Sequence, residues 1–109
     1  MAKGVRDITV DDIRRAVSAA AVGTPIQRAY LFGSRARGDN EIGSDIDLAL
    51  ETGPGFSLID VGFFREAVER ACGRPVDIVS EEYLLPSMRE TLRRERVLVY
   101  ERQSHGGCS

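Results

Sequence analysis

Apolar residues recur along this chain with two alternating periods, and the alternation divides it into elements. Ile13, Ala16, Val17, Ala20 and Ala21 are spaced by threes and fours, which lines one side of a helix from about Val10 to Val22. Thr9 with Asp12 three positions on supplies a capping signal at its start. Gly23-Thr24-Pro25 ends the helix, and Gln27 to Phe32 reads as a short strand. A polar interruption follows from Gly33 to Gly43, within which Arg35 to Arg37 suit a helical turn. From Ser44 to Glu51 the period is two, with Ile46, Leu48 and Leu50 on one face and Asp45, Asp47 and Ala49 on the other, which predicts a second strand.

Helical spacing returns after Gly53-Pro54-Gly55. Ser57 caps a run in which Leu58, Val61, Phe64, Val68 and Ala71 share a stripe, ending at Gly73. Val76–Val79 predicts a third strand, Glu81 to Leu85 a helical turn, and Pro86 the first residue of a helix carrying Met88 and Leu92. Val97–Tyr100 predicts a last short strand. The order helix, strand, strand, helix, strand, helix, strand implies an α+β domain, α/β-like in its layering, with a small mixed sheet flanked by helices. Strand pairing stays open.

Composition narrows the setting. With 109 residues, 42% of them hydrophobic, the chain has room for one core, so residues 1–102 are expected to form a single domain and the polar, glycine-bearing 103–109 a disordered tail. A formal net charge of -2 leaves no broad basic footprint, so no direct nucleic-acid binding is expected. Cys72 and Cys108 make no disulfide framework, and neither a signal peptide nor a long apolar span stands out. A cytoplasmic protein without membrane attachment is the expectation.

The candidate chemistry sits where the two periods meet. Asp45 and Asp47 share one face of the second strand, with about 6 to 7 Å between their attachment points. Carboxylates that close repel unless a cation lies between them. Magnesium binds oxygen at about 2.0 to 2.1 Å, and paired metals in phosphoryl-transfer sites stand roughly 3.5 to 4 Å apart, so the spacing suits such a site. Two aspartates on an edge strand facing water would satisfy the same pattern, and the preceding turn shifts the balance. Gly33 permits close backbone approach to a ligand, Ser34 offers a hydroxyl and an amide, and Arg35 and Arg37 add permanent positive charge for phosphates. Asp77 stands between Val76 and Ile78 in a strand that reads as buried, where an unpaired carboxylate is costly; beside Asp45 and Asp47 it would complete a three-carboxylate site and accept a proton from an attacking hydroxyl. The competing reading pairs it with an arginine on an edge strand.

Other residues carry less. Arg89, Arg93, Arg94 and Arg96, interleaved with Glu90 and Glu95, read as a solvated helix face with local ion pairs, or as a dock for an acidic partner. Tyr30, Phe32, Phe63 and Phe64 read as core, with one exposed aromatic free to stack on a base. His105 falls in the tail, and Cys72 reads as a small buried hydrophobe.

Gly33-Ser34, ten intervening residues, then Asp45-x-Asp47, with Asp77 on a later strand, resembles the nucleotidyltransferase superfamily of DNA polymerase beta. Within it the chain is similar to the minimal nucleotidyltransferases (MNT), where Gly-Ser-Arg-Ala-Arg-Gly and Ser-Asp-Ile-Asp-Leu are typical wording. The similarity runs from about Gln27 to Tyr100, in order and at the family spacing. The resemblance implies that Gly33 and Ser34, with Arg35 and Arg37, hold the nucleotide triphosphate. It further implies that Asp45 and Asp47 bind two magnesium ions, and that Asp77 completes the metal site and activates the acceptor hydroxyl. It also implies an antitoxin that transfers AMP from ATP to a tyrosine of a HEPN-domain RNase toxin. A chain this short has no second domain to grip an acceptor, which agrees with an acceptor presented by a partner protein. Two alternatives remain: a non-catalytic module that masks its partner, and a transferase acting on a small molecule such as an aminoglycoside, with a homo-oligomer building the pocket.

Overall fold

A computed structural model of the chain describes residues 8–38, 40, 44–79 and 85–102. The elements are α1 (Val10–Ala21), β1 (Ile26–Phe32), α2 (Ser34–Arg37), β2 (Ile46–Thr52), α3 (Leu58–Cys72), β3 (Val76–Val79), α4 (Pro86–Glu95) and β4 (Val97–Glu101). The predicted α+β class and mixed sheet hold. Two capping boxes, Thr9 with Asp12 and Ser57 with Asp60, start α1 and α3 by satisfying amides that have no partner inside the helix.

The four strands form one sheet in the order β3-β2-β1-β4. β1 runs antiparallel to both β2 and β4, whereas β2 and β3 are parallel, joined by the crossover through α3. Strand alternation separates two faces. Ala29, Leu31, Ile46 and Leu48 join Ile13 and Val17 of α1 and Phe64, Val68 and Cys72 of α3 in the main core. On the other face Tyr30 and Ala49 pack under Leu92 of α4, with Phe32 beside them. The second face is therefore only partly roofed, and the acids emerge on it.

Three expectations are corrected. The buried stripe of α3 is Phe64, Val68 and Cys72, four residues apart, while Leu58 and Ala71 are exposed; Phe63, read as core, is 66% exposed. The reason is that α3 meets α1 along one narrow line, and residues a quarter-turn off it face water. Met88 is likewise exposed. Asp77 is exposed rather than buried, because β3 is an edge strand. The expected turn at Glu81 to Leu85 falls outside the described residues apart from Leu85, which is extended and precedes α4; His105 and the rest of 103–109 also lie outside them. No helix among the described residues is long and apolar enough to cross a membrane.

Candidate active site

Register brings the distant acid to the near ones. In the parallel ladder Asp47 pairs with Asp77, and in the antiparallel ladder it pairs with Phe32, the residue before Gly33. Side chains opposite one another in a ladder project to the same face, so the two aspartates and the end of β1 meet there. Asp45 precedes the paired part of β2 and is exposed. Burial, then the charge of Asp77, then that of Asp45, push the Asp47 carboxyl above its ordinary value. Among the described residues no hydrogen bond or ion pair reaches any of the three carboxylates. Among the described residues nothing compensates their mutual repulsion.

Gly33 explains why the turn can lie against this cluster. Its φ of 78° and ψ of -155° fall in a region that side-chain-bearing residues avoid, and a Cβ at this position would stand 2.6 Å from Oδ2 of Asp47. Only glycine lets the backbone pass this close to the carboxylate. Ser34 then opens α2, whose last turn closes through the Gly38 amide donating to the Ser34 carbonyl at 2.9 Å.

The two arginines part company. Arg35 is 5% exposed, and its Nε and Nη2 donate to the Ser44 carbonyl at 3.0 and 2.7 Å. Expected at the phosphates, it instead ties the start of the motif to the residue before Asp45, because residues two apart on a helical turn point to nearly opposite sides. Arg37 points outward and pairs with Glu95 of α4 at 3.3 Å. Both line a cavity of about 430 Å³ that also includes Phe32 and Gly33. This cavity was not foreseen: Phe32 read as core and Glu95 as a solvated helix residue, and no spacing in the sequence links β1 to α4. Arg96, the residue after α4, stacks on the Tyr30 ring at 3.8 Å, so the basic stretch is in part structural.

The donor set suits a hard divalent cation, since unpartnered carboxylates converge on one side of the sheet. No three His, Cys, Asp or Glu side chains among the described residues form a group able to hold an ion by themselves. Asp45 lies outside the ladder and Asp77 on the exposed edge, so the three-carboxylate set is more open than the sequence implied. A cation here would draw part of its shell from a bound ligand. A cation held here would let phosphate oxygens approach the carboxylates, next to a turn that permits close backbone approach.

Known proteins are similar to this chain in sequence and fold. A Methanocaldococcus jannaschii protein, provisionally named a protein adenylyltransferase, is 29% identical over 90 residues, covering 83% of this chain and 97% of that protein. A solved structure provisionally described as a minimal nucleotidyltransferase is 34% identical, with a TM-score of 0.71 over 83% of this chain and 95% of that one. The fold also recurs, at 16% identity and a TM-score of 0.62, over 87% of this chain and 75% of a chain from the complex of tri-AMPylated Shewanella oneidensis HEPN toxin with MNT antitoxin. The family profile described as polymerase beta, nucleotidyltransferase, matches residues 17–105. That span runs from the middle of α1 past the end of β4 and takes in the Gly33 turn and all three aspartates, and the chain belongs to this nucleotidyltransferase family.

Proposed function

We propose that this nucleotidyltransferase moves AMP from ATP to a tyrosine hydroxyl of a partner HEPN RNase toxin and so acts as its antitoxin. The observation that carries the reading is the Asp47–Asp77 register pair beside Gly33, which sets unpartnered carboxylates against a turn open to phosphate. The provisional naming of the Methanocaldococcus jannaschii relative and the AMPylated toxin in the Shewanella oneidensis complex support AMP as the group transferred and a HEPN protein as acceptor.

In this reading Gly33 and Ser34 hold the triphosphate, with Arg37 within reach of it. Asp45, Asp47 and Asp77 would hold two magnesium ions, which would supply charge neutralisation at the phosphates. Asp77 is exposed on the sheet edge, and in this reading it meets the protein acceptor and takes the proton of its hydroxyl. Bond formation between that oxygen and the α-phosphorus releases pyrophosphate on the side of the Gly33 turn.

The experiment combines labelled ATP, magnesium and a candidate HEPN toxin from the same genome. Label should enter the partner on tyrosine and be absent with Asp47→Asn. Protection from the toxin by a chain lacking all three aspartates would replace catalysis with masking, and label on a small molecule without any protein acceptor would replace the substrate class.

A further inference from the structure

We propose that the cavity under α4 seats the base of the nucleotide, with Phe32 as its aromatic floor. This rests on the triphosphate lying along the Gly33 turn, as proposed above. α4 meets the acid-bearing face through Leu92, which packs on Tyr30 and Ala49, and a cavity lies beside this contact between the helix and the sheet. The gap, about 430 Å³, is bounded by Phe32 and Val79 from the sheet, Met88, Thr91 and Leu92 from α4, and Gly33 at its end. Small-molecule sites span roughly 300 to 1,000 Å³, so a base with its ribose fits.

Position distinguishes a base from an acceptor side chain. Phe32 is the ladder partner of Asp47, and Val79 lies two residues beyond Asp77 on the same face, so the cavity adjoins the carboxylates directly. An acceptor oxygen must approach in line with the departing pyrophosphate, from the side away from the turn that holds it. The cavity includes the turn's own Gly33 and therefore lies on the nucleotide's side.

Chemistry agrees with position. A phenyl ring, a thioether and two branched aliphatic side chains suit the flat faces of a base. The Thr91 hydroxyl donates to the Ser87 carbonyl at 3.2 Å and keeps its oxygen as an acceptor at the cavity wall. The Arg37–Glu95 ion pair joins α2 to α4 across the rim, so the phosphate turn and the wall of the cavity are tied together. None of Phe32, Met88 and Thr91 belongs to the motif that identifies the family.

Calorimetry with magnesium, comparing ATP and inorganic tripolyphosphate on the full chain, tests this. Thr91→Phe, an exposed helix position, fills the cavity without touching the acids or the turn. It should weaken ATP by about tenfold or more, the loss expected when one base is unstacked, while tripolyphosphate stays within about twofold. Unchanged ATP affinity in Thr91→Phe, or wild-type protein that binds tripolyphosphate as tightly as ATP, would overturn the base site and leave the phosphate turn standing. Wild-type protein that binds neither ligand would overturn both. Ser87→Phe, filling the same cavity from the helix start, replaces Thr91→Phe if melting shows that variant to be unfolded, and the same outcomes decide.

Discussion

A methyl group at position 33 is the smallest perturbation that separates the chemistry of this site from its fold. In Gly33→Ala the new Cβ would lie 2.6 Å from Oδ2 of Asp47, and the carboxylate or the turn has to retreat by about 0.8 Å to restore an ordinary 3.4 Å contact. Displacement on the order of 1 Å in a reacting constellation costs about 100-fold in rate. The backbone adds about 1 to 3 kcal/mol of destabilisation, because φ 78°, ψ -155° is a glycine conformation. Gly38→Ala is the matched control: its φ is 83°, costing about 1 to 2 kcal/mol, but its Cβ meets nothing within 4 Å. Both variants should melt lower, by about 4 to 8 °C per kcal/mol for a domain of this size. Only Gly33→Ala should lose about two orders of magnitude in AMP incorporation, measured well below either melting point at saturating ATP. Equal loss in the two variants would mean that activity follows stability alone, and full activity in Gly33→Ala would refute the close approach to Asp47.

Asp47→Asn should abolish transfer yet raise the stability of the metal-free protein, since it removes the carboxylate strained by burial and by Asp77 and Asp45. The same strain has a pH signature. The folded state holds a proton on Asp47 more tightly than the unfolded chain does, so metal-free stability should fall as pH rises from about 4 through the raised value, and urea midpoints of Asp47→Asn should lack that fall. Arg35→Met should cost about 1.5 to 3 kcal/mol in urea unfolding by leaving the Ser44 carbonyl without its charged donor, and should lower transfer through Asp45 rather than through ATP affinity. Phe64→Ala should lose about 3 to 5 kcal/mol, whereas the adjacent Phe63→Ala should stay within about 0.5 kcal/mol; comparable losses would contradict the assigned core face of α3.

The elements themselves were legible because each long segment holds one period. β2 alternates cleanly, and α1 and α3 announce their starts with capping boxes that the structure forms. Faces were harder to read where apolar residues exceed what one contact can bury. α3 carries Leu58, Ile59, Phe63 and Phe64, and only packing against α1 and the sheet selects Phe64. Val76-Asp77-Ile78-Val79 reads like a central strand, yet it is the edge, since strand order depends on pairings that no local pattern encodes. At the site, Gly33, Asp45 and Asp47 stood out through their order along the chain. The division of labour between Arg35 and Arg37 did not, because burial of one guanidinium depends on a carbonyl nine residues away. Nor did the cavity, whose walls come from β1 and α4.

The sheet topology also dictates when the site comes into being. β1 and β2 pair as antiparallel neighbours and bring Gly33 to Asp47 by a short loop, whereas Asp77 reaches Asp47 only after the whole α3 crossover has closed. Non-local parallel pairing is slow, because loop closure is unfavourable until the strands reward it. A chain emerging from the ribosome would thus carry the turn and two acids before it carries the third. Pulse-labelled amide exchange should find β1 and β2 protected before β3. Competence would arrive last, at the step that brings like charges together, and a cation present at that moment would act as a folding aid as well as a reagent.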